Sequence, residues 1–97
     1  MHKTTTRFWR CFYALPQEVQ EIARKNYNLL KENPKHPSLH FKKAGKLWSA
    51  RVGRNHRALA VGDECGFIWV WIGDHEEYDR ILNGEKAQEV RKGSRFN

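Results

Sequence analysis

The sequence predicts an α+β domain in which a helical hairpin packs on an antiparallel sheet of about four strands, with a short C-terminal helix after the sheet. Apolar residues recur at helical spacing up to Pro34, and strand-like alternation replaces this pattern after Pro37. The strand-like runs are separated by short turn-forming segments, which join antiparallel neighbours. With 97 residues, the chain is expected to form a single domain over residues 1–97, flexible from about residue 93.

Two helices are predicted before the sheet. The first, over residues 6–14, has apolar side chains at helical spacing behind three threonines that can cap its N-terminus. The second, over residues 16–33, begins at Pro16, which suits a first helical turn, and ends before Pro34, which disfavours helical backbone at the preceding residue. Its buried stripe is expected to contain Val19, Ile22, Ala23, Asn26, Tyr27 and Leu30.

Four strands are predicted, over residues 38–43, 47–52, 56–61 and 67–72. The last of these runs is apolar on both faces and is therefore expected to be central in the sheet. Asp74 can then cap a short helix, with Glu77 at the third helical position, and Asn83-Gly84 is expected to end that helix. No strand is predicted before the helical hairpin.

A run of seven basic residues without an acidic one extends from Lys35 to Arg57, in a chain of net charge +7. Laid along adjacent strands, such a run predicts a positive surface that fits a phosphate backbone. The alternative is that these residues only form the solvated surface of a basic protein. The absence of Asp and Glu from the run favours a binding surface. The residues expected to contact nucleic acid are Lys42, Lys43, Lys46 and Arg54.

Several classes of protein are excluded by composition and spacing. No apolar segment approaches the roughly 20 residues of a membrane helix, and no signal peptide is present, which predicts a soluble cytoplasmic protein. Cys11 and Cys65 lack C-x-x-C spacing, so neither a disulfide framework nor structural zinc is expected. His36 and His40 flank Pro37 and do not form a helical metal pair. We therefore expect no metal and no other cofactor.

Two segments carry a family resemblance. Residues 47–61 contain W-S-x-R-V-G followed by H-R-A-L, and residues 71–79 read W-I-G-x-H-x-E-Y-D. After a basic helical hairpin, these motifs resemble the RelE/ParE superfamily of bacterial toxins from type II toxin–antitoxin systems, over about residues 7–82. The family usually begins with a β-strand, and almost no chain precedes Thr6 here. The sheet is therefore expected to lack that first strand or to fill its place in another way.

The resemblance implies one of two activities. The RelE-like branch implies a ribosome-dependent, metal-independent mRNA endonuclease, and the ParE-like branch implies an inhibitor of DNA gyrase that acts by protein contact. A non-cleaving RNA-binding module is a third alternative. The implied partners are a cognate antitoxin protein and mRNA on the ribosome, or DNA gyrase instead, with no membrane.

The resemblance also names catalytic candidates. RNA cleavage without metal uses attack of a 2′-hydroxyl on phosphorus, which needs proton transfer and cations at the phosphoryl group. Arg51 and Arg57 match basic positions on the central hairpin, and His75 falls where relatives carry histidine or arginine. Tyr78 lies near an aromatic that some relatives use against the substrate, and it is equally suited to the core. Ser49 stands where strongly active relatives often carry an ionisable group, which leaves a slow nuclease or a non-cleaving toxin fold open.

Overall fold

The structure is a computed structural model that describes residues 2–63 and 66–84. Its five strands form one sheet in the order β1-β5-β4-β3-β2, with β1 parallel to β5 and every other neighbouring pair antiparallel. The predicted α+β class is confirmed, and the tail predicted from about residue 93 lies outside the described residues. The elements are β1 (His2–Thr4), α1 (Thr6–Tyr13), α2 (Gln17–Glu32), β2 (Lys42–Ala44), β3 (Leu47–Val52), β4 (His56–Asp63), β5 (Gly66–Asp74) and α3 (75–84).

The prediction that the first strand is missing is wrong, and the sheet has five strands rather than about four. Residues 2–4 pair with residues 67–69 of β5. His2 Nδ1 accepts a hydrogen bond from Trp69 Nε1 at 3.1 Å, and the Thr5 backbone N–H donates to the Trp69 carbonyl at 3.1 Å. Because three residues are enough to pair with the exposed edge of β5, the few residues before Thr6 suffice.

The helical hairpin lies close to its predicted bounds. Thr5 caps α1, since its hydroxyl accepts from the Phe8 backbone N–H at 3.1 Å. On α2, however, the predicted stripe is only partly buried: Leu30 is 3% exposed, whereas Ile22 is 39% exposed. A cavity of about 400 Å³ lies between the hairpin, β1 and the sheet. The inner face of α2 therefore packs on the sheet less closely than its apolar pattern predicts.

The first predicted strand of the antiparallel set is shorter than expected. Residues 37–39 form a 3₁₀ turn, and β2 covers only Lys42–Ala44. Pro37 occupies the first turn of this 3₁₀ helix, and His36 Nδ1 accepts from the Ser38 backbone N–H at 3.2 Å. His40 then adopts a left-handed conformation, with φ of 45° and ψ of 42°. These local bonds hold the segment in a turn and delay the strand.

The strand β5, whose residues 67–72 are apolar on both faces, contains a bulge. Leu59 pairs with Trp71 whereas Ala60 pairs with Trp69, which leaves Val70 without a partner in β4. The bulge places Trp69 in the core beneath the hairpin and Trp71 in a second cluster. β5 is an interior strand between β1 and β4, and the middle strand of the five is β4.

The predicted cap of the last helix is confirmed. Asp74 Oδ1 accepts a hydrogen bond from the Glu77 backbone N–H at 2.8 Å. The expected stop at Asn83-Gly84 coincides with the end of the described segment, where both residues are helical, and it stays a prediction. None of the helices within the described residues is long and apolar enough to cross a membrane.

Candidate functional site

The four catalytic candidates meet on the face of the sheet opposite the helical hairpin, which we call the site face. Strand alternation directs Ala50, Val52 and Ala58 into the core beneath the hairpin. The intervening residues Arg51 and Arg57 therefore lie on the site face. A buried cluster of Leu59, Trp71 and Tyr78 covers one part of this face, with Ile81 and Leu82 of α3 packed against it.

Arg51 and Arg57 are directly opposite each other on β3 and β4. Both side chains are half-buried, and like charges at opposed positions destabilise a sheet. Arg51 Nε donates to the Gly53 carbonyl at 3.1 Å, and Arg57 Nη1 donates to the His56 carbonyl at 2.8 Å. Within the described residues, neither guanidinium forms an ion pair with a carboxylate. An anion bound between them would relieve this repulsion.

Tyr78 lies beside Arg57 and His75. The Arg57 Cζ atom is 5.9 Å from the centroid of the Tyr78 ring, within cation–π range, and the His75 ring centroid is 5.8 Å from that of Tyr78. Tyr78 is 8% exposed. The Tyr78 hydroxyl forms no hydrogen bond with another described residue. Because every buried polar side-chain atom of the described residues has a partner, this hydroxyl is not buried and reaches solvent. The ring thus packs in the cluster and also presents an edge to the site face.

His75 is held at the start of α3 by two contacts. Its backbone N–H donates to the Asn55 carbonyl at 2.7 Å, which ties α3 to the β3–β4 turn. Its Nδ1 atom lies 3.1 Å from Asp79 Oδ2, one helical turn away. With the Nδ1 proton directed to this carboxylate, Nε2 is left to exchange a proton with a substrate. The His75 side chain is 48% exposed, so a substrate can reach it.

The four lysine and arginine candidates for nucleic-acid contact are all exposed but do not share one surface. Lys42 pairs with Ser49 and therefore belongs to the site face, whereas Lys43 pairs with Trp48 and belongs to the opposite face. Lys46 lies in the β2–β3 turn and Arg54 in the β3–β4 turn. Lys42 and Lys43 lie on the edge strand β2, where lysines also hinder pairing with another chain, whereas Lys46 and Arg54 lie at opposite ends of β3.

Two features of the site were missed by sequence reasoning. Arg51 Nη1 lies 3.4 Å from His40 Nε2, across the edge of the sheet. Gly73 pairs with Arg57, and a Cβ atom at Gly73 would lie 2.4 Å from Trp71 Cζ2, so the indole occupies the space that a side chain would need. The glycine in W-I-G-x-H was a signal for the second feature. Nothing in the local sequence marked His40 as a neighbour of Arg51.

Ser49 is 3% exposed on β3, beside Lys42 of the neighbouring strand. A buried hydroxyl at this position supplies no charge to the site face. Within residues 2–63 and 66–84, no group of three or more His, Cys, Asp or Glu side chains could hold a metal ion. The site face offers guanidinium, imidazole and phenol groups, together with the ammonium group of Lys42.

Comparison with known proteins agrees with the fold described above. A family model described as the ParE-like toxin domain matches residues 17–80. The chain is also similar to a chain in the crystal structure of the RelBE2 toxin–antitoxin complex from Mycobacterium tuberculosis, with a TM-score of 0.59 and 18% identity over 77% of this chain and 96% of that chain. A search of curated proteins gave no match. The likeness to the solved structure shows the fold, and the family match spans most of the domain. The chain belongs to the ParE-like toxin domain family, within the RelE/ParE superfamily of toxins from type II toxin–antitoxin systems.

Proposed function

We propose that this protein is a ribosome-dependent mRNA endonuclease that works without a metal ion. The observation that carries the proposal is the opposed pair Arg51 and Arg57, which has no carboxylate partner among the described residues and lies on the same face as Tyr78. Two adjacent guanidinium groups suit the two non-bridging oxygens of a phosphodiester, because each can donate paired hydrogen bonds.

The cleavage step follows from these groups. The 2′-oxygen of one nucleotide loses its proton and bonds to the adjacent phosphorus, and the bond from phosphorus to the 5′-oxygen breaks. The products are a 2′,3′-cyclic phosphate and a 5′-hydroxyl, and the 5′-oxygen takes up a proton. Arg51 and Arg57 stabilise the negative charge that grows on the phosphoryl oxygens. His75, oriented by Asp79, transfers one of the two protons. Tyr78 supports Arg57 and offers its hydroxyl edge to a base or phosphate.

The exposed basic residues at the border of the sheet suit binding to ribosome-held mRNA. Lys42, Lys43, Lys46 and Arg54 attract the phosphate backbone, and such contacts release counterions. The proposed regulatory partner is a cognate antitoxin, in keeping with the toxin–antitoxin complex that the fold resembles. An antitoxin carboxylate placed between Arg51 and Arg57 would neutralise the charges that the reaction uses.

The test is primer extension on mRNA in a translating extract, with the purified wild type and single variants. Arg57→Ala and His75→Ala should each reduce cleavage by roughly 10²-fold. Arg7→Ala is the matched control, since it removes the same charge from an exposed position on α1. Equal cleavage by the Arg57 and Arg7 variants, both folded by circular dichroism, would contradict the proposed site.

Inhibition of DNA gyrase is the second candidate function, and the match to the ParE-like toxin domain favours it. The buried Ser49 also favours it, because a nuclease site gains nothing from an uncharged group there. This candidate predicts growth arrest on induction, intact translated mRNA and reduced supercoiling by gyrase. Cut messages with unchanged supercoiling would exclude it.

A further inference from the structure

An endonuclease of this kind needs two proton-transfer groups. The attacking 2′-oxygen and the leaving 5′-oxygen lie on opposite sides of phosphorus in an in-line displacement, so one group removes a proton while another supplies one. His75 lies on the α3 side of the arginine pair, and the Tyr78 ring next to it is buried. A group on the β2 side of the pair would face the opposite side of the phosphorus.

His40 occupies that side. Its Nε2 atom is 3.4 Å from Arg51 Nη1. In the antiparallel β2–β3 pair, Lys42 lies opposite Ser49. Two residues before Lys42, the same register places His40 beside Arg51. The order across the sheet is therefore His40, Arg51, Arg57 and then the start of α3 with His75. Three strand spacings of about 4.8 Å separate the outer backbones by roughly 14 Å, a distance that two inward-reaching imidazoles and a phosphate can bridge.

The backbone at His40 supports a role for its side chain. Among the described residues it is the one non-glycine residue with positive φ, at 45°. The left-handed region costs a non-glycine residue roughly 1 kcal/mol, and glycine would relieve that strain. The preceding Leu39 is 1% exposed, so the turn is anchored in the core while the His40 ring stays exposed. Strained polar residues of this kind cluster at functional sites.

The contact with Arg51 fixes which nitrogen of His40 can act. A guanidinium group only donates hydrogen bonds, so His40 Nε2 carries a lone pair in this arrangement and the proton is on Nδ1. A phosphate that draws Arg51 towards itself would leave this lone pair directed at the substrate. Arg51 is the charged group that contacts the His40 ring, and the other titratable or charged groups on adjoining segments are His36, Lys42 and Arg57.

We propose that His40 is a second catalytic residue, the general base whose Nε2 removes the 2′-hydroxyl proton while His75 donates a proton to the 5′-oxygen. This inference rests on the proposed endonuclease function. It explains why two imidazoles flank two arginines on one face of the sheet, and why a histidine holds a backbone conformation that suits glycine.

The test compares wild type, His40→Asn and His40→Gly in cleavage of ribosome-bound mRNA across pH, with thermal unfolding measured in parallel. Asparagine and glycine both tolerate left-handed backbone, so both variants should be at least as stable as the wild type. Cleavage should fall by roughly 10²-fold. The limb of the pH–rate profile that reports protonation of the general base should disappear. Added imidazole should restore part of the activity of His40→Gly.

The outcomes separate the inference from the function on which it rests. Wild-type rate and pH profile in His40→Asn would overturn the role of His40 and leave the endonuclease intact. An equal loss at every pH, without rescue by imidazole, would also overturn it, because a merely structural residue behaves in that way. A wild type that cuts no message under any condition would refute the proposed function and the His40 base together.

Discussion

Gly73→Ala should destabilise the protein through a single clash. The added Cβ atom would lie 2.4 Å from Trp71 Cζ2 and 2.9 Å from Trp71 Cη2. Trp71 cannot withdraw easily, because it is 6% exposed and packs in the cluster that contains Leu59 and Tyr78. The φ angle of Gly73 is not positive, so alanine fits the backbone and the substitution adds no backbone strain to the clash.

The size of the effect follows from two opposed contributions. Overpacking a dense cluster costs about 1–3 kcal/mol, and alanine regains up to about 1 kcal/mol by restricting the unfolded chain. The net loss in the free energy of unfolding is therefore about 1–2 kcal/mol. For a domain of 97 residues, this lowers Tm by roughly 4–16 °C. Cleavage should fall as well, because Gly73 pairs with Arg57.

Chemical and thermal unfolding measure the loss, with Gly84→Ala as the matched control. Gly84 is exposed on α3, and a Cβ atom there meets nothing within 4 Å, so the control should gain up to about 1 kcal/mol. Trp71→Phe in the same background makes room, and the double variant should lose about 1 kcal/mol less than the sum of the single variants. Unchanged stability in Gly73→Ala, or strictly additive losses, would refute the packing argument.

Three further predictions concern charge, capping and pH. Lys42→Glu should weaken RNA binding and reduce its salt dependence more than Lys43→Glu, because only the first lysine lies on the site face; equal effects in a salt titration would contradict this division. Thr5→Ala should lower the free energy of unfolding by about 1 kcal/mol through loss of the α1 cap, whereas Thr5→Ser should change it little in urea unfolding. Burial, then the positive charges of the N-terminus and of Lys31, lower the pKa of His2 below 6.5, so its contribution to stability is present above pH 6.5 and is lost as pH falls through the lowered value. His2→Gln should therefore flatten the rise in stability between about pH 5 and 7, and an unchanged slope would refute the assignment.

The parts of the fold that local sequence encodes were predicted well. The cap at Thr5 and the apolar spacing that follows it define α1, and Asp74 marks the start of α3 in the same way. β1 was missed because three residues leave no periodic pattern, and its partner strand is distant in sequence. The bulge at Val70 was missed because a run apolar on both faces looks the same with or without it.

The site was predicted only where the resemblance supplied it. Arg51, Arg57, His75 and Tyr78 do lie on one face, but their roles stay predictions. The contact of His40 with Arg51 depends on a left-handed residue after a 3₁₀ turn. The strand predicted over residues 38–43 has extended backbone at position 40, so it did not predict a left-handed residue at His40. Local pattern therefore located the strands of the site and missed the turn that completes it.

The pairing of β1 with β5 imposes an order on events during synthesis. His2 is made first, but its partner Phe67 follows 65 residues later, a delay of roughly 3–13 s at 5–20 residues per second. β5 also supplies Gly73 opposite Arg57 and leads directly into His75. The nascent chain therefore lacks a complete site face until β5 and the start of α3 have been translated. On the proposed function, the ribosome that makes this toxin carries an inactive chain at least until His75 has been translated.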